Sequence, residues 1–152
     1  MQVAIDSSVL VGLLVPNDIW HARAAELWTG IEHAGHVGVV FDCVVAETIS
    51  VAVRRLREKG RVAEMPPLLN RLSAELPYEA LTWILPDVPR LYPQVLDLIE
   101  SSSGELNFND GLIALCCRER GIPAVVSFDS DFDLLPWLRR ISTPSDIQVA
   151  RQ

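Results

Sequence analysis

Short apolar runs alternate along the chain with segments in which apolar residues recur at helical spacing. Residues such as Val45, Ile49 and Ala52 follow the helical pattern, which indicates amphipathic helices. Four apolar runs predict β-strands: residues 2–5, 36–41, 81–85 and 123–128. This alternation is typical of a parallel sheet covered by helices. The sequence therefore predicts an α/β fold, whose ligands bind beyond the carboxyl ends of the strands.

The helical segments have recognisable ends. Gly35, Gly60 and Gly104 are placed to stop helices, and Asn107 or Asn109 can cap the helix that precedes the last strand. Prolines divide residues 61–80 into short helical pieces. The predicted helical segments are 7–15, 18–35, 44–59, 88–103 and 109–121. Every predicted strand is thus followed or preceded by a helix.

Length and composition suit one domain with its own core, predicted over residues 1–145, with a frayed tail at 146–152. No Lys or Arg precedes Arg23, and Asp6 interrupts the early apolar stretch, so we expect no secretory signal. No apolar segment approaches the roughly 18 residues that a membrane span needs. We expect a soluble, cytoplasmic protein without a membrane partner.

Cysteines and histidines suggest no site of their own. Cys43, Cys116 and Cys117 form no CxxC pair, and buried free thiols are the expected outcome. His33 and His36 lack a thiol or carboxylate at matching spacing, so surface histidines are expected rather than a zinc site.

The formal net charge of −7 argues against a protein that binds nucleic acid through a general basic surface. A metal-dependent nuclease remains compatible with that charge, because bound cations offset the acids of its site. Arg54 and Arg55 belong to a basic cluster that is either a solvated helix face or a phosphate contact. They are the candidates for contact with RNA.

Several acids stand where carboxylates need an explanation. Asp6 ends the first strand and could cap the next helix. Asp110 could interact with the positive end of its own helix. Glu47 has no cation three or four residues further along a helix with several apolar residues, and an unpaired buried carboxylate is costly. Each acid has a structural explanation, but Asp6 and Asp129 both follow strands at the end where ligands bind.

The stretch "FDSDFD" places acids at 129, 131 and 133, which is also how an EF-hand calcium loop opens. Leu134 and Arg140 occupy the positions where that loop needs glycine and glutamate, so an EF-hand is rejected. An aspartate-dependent phosphatase is a weaker alternative, because Asp6 is followed by Ser7 and Ser8 without a second acid.

Four motifs occur in order across nearly the whole chain: "AIDSSVLVGLL", "VVAETISVAVRR", "LNFNDGLIAL" and "VVSFDSDF". Together they resemble the PIN-domain ribonucleases, and among them the VapC-type toxins of toxin–antitoxin pairs. The resemblance implies a PIN-like three-layer fold, in which a central parallel sheet lies between helices. It also implies an acidic site that uses Mg²⁺ or Mn²⁺ at the carboxyl end of that sheet.

The same resemblance assigns roles to individual residues. Asp6 and Asp110 match the principal metal ligands, and Glu47 and Asp129 would bind metal through water or orient the attacking water. Ser8, Ser127 and Asp131 match supporting positions, with Ser127 holding a carboxylate by hydrogen bond, whereas Asp133 is expected to be exposed. Repulsion among several carboxylates also favours a cation on general grounds.

The function expected from these observations is Mg²⁺- or Mn²⁺-dependent hydrolysis of RNA phosphodiester bonds by an endoribonuclease toxin. The resemblance implies a small antitoxin and a homodimer as partners. A PIN-fold binding protein that no longer cleaves, and the phosphatase, are the alternatives. A housekeeping nuclease of the same family is a further alternative.

Overall fold

Four parallel strands form the centre of the molecule in the computed structural model, which describes residues 1–15 and 17–149. The strand order in the sheet is β2-β1-β3-β4. The strands are β1 (Gln2–Ile5), β2 (Val37–Val40), β3 (Ala124–Val126) and β4 (Arg139–Ile141). Their last residues lie in register, since Ile5 pairs with Val40 and Val126, and Val126 pairs with Ile141. The residues that follow these four positions form one edge, called here the carboxyl edge.

Within the described residues, seven helices flank the sheet, so the predicted α/β fold with a central parallel sheet is confirmed. Helix α1 packs against α2 and α3, and α5 packs against α6. The helices are α1 (Ser7–Leu14), α2 (His21–His33), α3 (Asp42–Glu58), α4 (Met65–Glu75), α5 (Val88–Ser101), α6 (Phe108–Arg120) and α7 (Pro144–Val149). No helix in the described ranges is long and apolar enough to cross a membrane.

The inner strands supply the middle of the hydrophobic core. Val3, Ala4, Ala124 and Val125 are completely buried. Buried side chains of the flanking helices join them in one cluster. The three cysteines are buried free thiols, as expected, and burial raises the pKa of the Cys43 thiol to about 12. A rigid core of this kind fixes the positions of the residues at the carboxyl edge.

The predicted third strand, residues 81–85, is wrong. Only Thr82 forms a parallel bridge, to Phe41, and the chain then turns through a short 3-10 helix, Leu85–Asp87. The backbone N–H groups of Ile84 and Leu85 donate to the carboxylate of Asp42 instead of to a strand. A side chain distant in sequence therefore takes the donors that a strand would need.

The fourth strand is β4, which the hydrophobic pattern missed. It has three residues, two of which are arginines, so no apolar run marks it. It is an edge strand, and Arg140 pairs there with the exposed Asp133. Helix α7 follows it and buries Ile147 against α2 near Gly30. Residues 146–149 of the predicted tail are helical, and 150–152 lie outside the described residues.

Candidate active site

Asp6 and Ser127 lie side by side at the carboxyl edge, because β1 and β3 are neighbours that end in register. The backbone N–H of Asp6 donates to the carbonyl oxygen of Val126 at 3.0 Å. Asp6 caps α1 and accepts the backbone N–H of Ser8 at 3.3 Å. The sequence "IDSS" thus turns the chain from strand to helix and holds the Asp6 carboxylate at the edge.

Two hydroxyl groups fix the Asp6 carboxylate. Ser8 Oγ and Ser127 Oγ each donate to Oδ2 of Asp6 at 2.7 Å. Ser127 is completely buried, and its Oγ also accepts the backbone N–H of Asp129 at 2.9 Å. Oδ1 of Asp6 accepts no hydrogen bond within the described residues. The network therefore holds one carboxylate oxygen and leaves the other available to a ligand.

Asp110 lies at the start of α6, where it forms a capping box with Asn107. Its Oδ2 accepts the backbone N–H of Asn107 at 2.9 Å, and its own N–H donates to Oδ1 of Asn107 at 3.0 Å. Both Asp110 and Asp6 are only 5% exposed. The structural explanation for Asp110, a helix-start residue, is therefore correct, but the same geometry also buries a carboxylate beside other acids.

The raised pKa of Asp110 indicates that the predicted acids act on it electrostatically. Burial raises the pKa of Asp110 to about 7, although the hydrogen bond from Asn107 acts in the opposite direction. The negative charges of Asp6, Asp129 and Glu47 raise the pKa of Asp110 further toward that value. Carboxylates on four different elements thus contribute to one negative field, and a cation at this place would relieve it.

Asp129 begins a 3-10 helix, Ser130–Leu134, at the end of β3. Its Oδ1 accepts the backbone N–H of Asp131 at 2.9 Å. Burial and the neighbouring charge of Asp129 raise the pKa of Asp131. Asp133 instead accepts two hydrogen bonds from Arg140, at 2.9 and 2.6 Å. The acids at 129 and 131 belong to the acidic cluster, whereas Asp133 belongs to a surface ion pair.

Glu47 is half-buried on α3 and forms no ion pair within the described residues. Its Oε2 accepts a hydrogen bond from Nδ2 of Asn109 at 3.4 Å. The sequence predicts Asn107 or Asn109 as the cap of α6, and Asn107 takes that role. Asn109 instead connects the carboxylate of α3 to the helix that carries Asp110.

The two candidate RNA-contact arginines differ. Arg54 is exposed on α3, in a shallow cleft with Ser50 and Arg57. Arg55 forms an ion pair with Asp18, whose side chain is only 5% exposed. The charge of Arg55 is therefore already partly neutralised within the protein.

The donor chemistry fits Mg²⁺ or Mn²⁺, since clustered carboxylate oxygens are the ligands that these ions prefer. Across residues 1–15 and 17–149, no three His, Cys, Asp or Glu side chains are grouped closely enough to hold a metal ion by themselves. Mg²⁺ usually retains several waters and binds through one or two carboxylates, so it does not require such a group. Asp6, through its free Oδ1, and the buried Asp110 provide two such carboxylates.

A parallel sheet with an acidic carboxyl edge between helices defines the class, and the sequence agrees. The model of the PIN domain family matches residues 3–138, and the chain belongs to that family. Its structure is similar to the crystal structure of Mycobacterium tuberculosis VapC20, described as a toxin that cleaves the sarcin–ricin loop. The TM-score is 0.65 at 21% identity, over 89% of this chain and 95% of VapC20. No curated protein matches the sequence significantly.

Proposed function

We propose that the protein is a metal-dependent endoribonuclease that hydrolyses RNA phosphodiester bonds, and that it acts as a VapC-type toxin. The observation that carries the proposal is the convergence of Asp6, Glu47 and Asp129 on the buried Asp110. The PIN family membership and the similarity to a toxin that cleaves RNA support the same reaction.

The acids have distinct roles in the proposed reaction. Asp6 and Asp110 would hold Mg²⁺ or Mn²⁺, and Glu47 and Asp129 would bind it through water or orient the attacking water. When bound, such an ion lowers the pKa of water and stabilises the negative charge of the phosphate and the leaving oxygen. Ser8 and Ser127 keep one oxygen of Asp6 in place, so its other oxygen faces the ligand.

The proposed partners follow from the toxin assignment. A small antitoxin would supply a basic or apolar segment to the acidic edge, and the toxin would form a homodimer in the cytoplasm. A short DNA-binding protein encoded beside this chain would be the candidate antitoxin. Its co-expression should abolish RNA cutting, and the complex should co-purify.

The test of the activity is cleavage of a cellular RNA pool by purified protein with Mg²⁺, Mn²⁺ or a chelator. Asp6→Asn keeps the shape of the side chain and one acceptor oxygen for the two serines, but it removes the charge and replaces the other oxygen by an NH₂ group. We therefore expect cutting to fall by roughly 100- to 1,000-fold. Asp133→Asn is the matched control, because this acid lies in the segment of Asp129 and Asp131 but is exposed and paired with Arg140.

The outcomes separate the alternatives. Cutting that requires metal, survives in Asp133→Asn and is lost in folded Asp6→Asn supports the nuclease. If the parent protein binds metal and RNA but cuts no more RNA than Asp6→Asn does, the binding-protein alternative is supported. Turnover of a small phosphomonoester with intact RNA supports the phosphatase.

A further inference from the structure

An aromatic pair lies beside the acidic site. The rings of Trp20 and Phe128 are stacked, with centroids 5.1 Å apart and planes at 25°. Phe128 is half-buried, whereas Trp20 remains 38% exposed. Packing explains the half-buried Phe128 ring, but it does not explain why the larger Trp20 ring is left at the surface.

The backbone places this pair next to the acids. Phe128 directly follows Ser127, and its N–H donates to Ser8 Oγ at 3.1 Å. The same Ser8 Oγ donates to the Asp6 carboxylate. The backbone of Phe128 is thus linked through one hydroxyl group to the carboxylate that we propose as a metal ligand.

A cation completes the cluster. The guanidinium carbon of Arg23 lies 5.3 Å from the Trp20 ring centroid and 5.0 Å from that of Phe128. Its Nε and Nη2 donate to the carbonyl oxygen of Ser142, at 3.2 and 3.0 Å, just after β4 at the carboxyl edge. Arg23 forms no ion pair within the described part of this acidic chain. Its charge therefore remains available to an anion.

The loop that carries Trp20 is held in advance. Oδ1 of Asp18 accepts the backbone N–H of Trp20 at 2.9 Å. Its other oxygen pairs with Arg55, so that arginine helps to hold the loop. A ring fixed in this way loses little conformational entropy when a ligand stacks on it.

We propose that Trp20, backed by Phe128 and Arg23, stacks on a base of single-stranded RNA next to the scissile phosphate. This inference rests on the proposed nuclease function and extends it to the positioning of substrate. Aromatic faces accept any unpaired base, and an adjacent arginine can contact the phosphate of the same strand. Bases of a duplex are already stacked on one another, so the preferred substrate is an unpaired segment.

The test compares Trp20→Ala with Trp137→Ala. Trp137 is similarly exposed, at 36%, and also has an arginine over its ring, Arg118 at 5.1 Å. It precedes β4, and so lies at the opposite edge of the sheet from the acids. The probe is a short fluorescein-labelled single-stranded RNA, bound in Ca²⁺ in place of Mg²⁺ and shown by gel electrophoresis to stay intact. Binding is followed by anisotropy and tryptophan fluorescence.

We expect Trp20→Ala to weaken binding roughly 10-fold and Trp137→Ala to leave it unchanged. Trp20→Phe retains a stacking surface and should bind within roughly threefold of the parent, but with reduced quenching of tryptophan emission. Melting curves confirm that each variant is folded. Trp20→Phe supplies the fluorescence test even where Trp20→Ala does not fold.

Equal binding by the Trp20→Ala and Trp137→Ala variants, or quenching that persists in Trp20→Phe, overturns the proposal that Trp20 stacks on a base. A Trp20→Ala variant that changes only the oligomeric state also overturns it and assigns the ring to a protein interface. Because the probe is measured without cleavage, the result is independent of whether the parent cuts RNA. Absence of cutting in the parent contradicts the proposed function, whereas absence of a Trp20 effect contradicts this inference alone.

Discussion

Asp6 and Asp42 occupy equivalent places in the fold and do different work. Each follows a strand of the sheet, Asp6 the inner strand β1 and Asp42 the outer strand β2. Each lies at the start of a helix, and each is 5% exposed. Asp42 accepts backbone N–H groups from Cys43, Ile84 and Leu85 at distances of 3.0 to 3.3 Å. Asp6 is held mainly by the hydroxyl groups of two serines.

The difference lies in the partners. Backbone N–H groups must be satisfied when buried, so Asp42 fastens the segment after α4 to the sheet and has no oxygen to spare. Asp6 keeps one oxygen free and faces another acid, Asp110, whose pKa is raised. A buried aspartate is therefore a candidate for catalysis when its neighbours are acids, and a structural element when they are backbone donors.

Asp42→Ala gives the largest expected effect on stability. Removing the carboxylate leaves the N–H groups of Ile84 and Leu85 without partners, which should cost about 3–5 kcal/mol of unfolding free energy. Urea unfolding measures it, and cleavage per folded molecule should change little. Asp42→Asn retains an acceptor oxygen and should lose less. Unchanged stability in Asp42→Ala would contradict the structural role of Asp42.

Asp110→Asn should stabilise the metal-free protein while abolishing cleavage. The pKa of Asp110 is about 7 in the folded state against an ordinary value near 3.8, so the folded state holds its proton more tightly. Stability present below about pH 4 is therefore lost as pH rises through about 7. The advantage of Asp110→Asn should grow over this range and reach about 2–4 kcal/mol at pH 8.

Urea unfolding with a chelator from pH 4 to pH 8 measures this advantage. Saturating Mg²⁺ is the control, because an ion bound by the parent should reduce the difference above pH 7. If the difference in unfolding free energy is independent of pH, burial and the acidic neighbours do not raise the pKa of Asp110.

Ser127→Ala should have the smallest effect. It removes one of the two hydroxyl donors to Asp6 and the acceptor for the N–H of Asp129, at a cost of about 1–2 kcal/mol. We expect cleavage to fall mainly through kcat, since Ser8 still holds Asp6. Ser101→Ala is the control, because its hydroxyl only donates to the carbonyl of Leu98 at the exposed end of α5. A loss of equal size in both variants would contradict a positioning role.

Much of the fold was predictable because its signals are local. Apolar runs identified β1, β2 and β3, helical spacing identified α2, α3 and α5, and capping residues indicated α1 and α6. Glycines at positive φ end several helices. Asp6 and Asn107 cap helices through hydrogen bonds within three residues, which sequence spacing alone can indicate. The acids of the site could be chosen from motif order, although their roles remain predictions.

The sequence by itself determined the alternation of strands and helices, the strand-to-helix turn at Asp6 and the set of acids. Only the tertiary structure decided which segments form strands. Asp42 accepts the backbone N–H groups of residues 84 and 85, so residues 81–85 do not form a strand, and the charged β4 completes the sheet instead. It also decided the partners of Glu47 and Trp20, which lie far away in the chain. Local signals act within a few residues, whereas burial and charge depend on what the fold brings together.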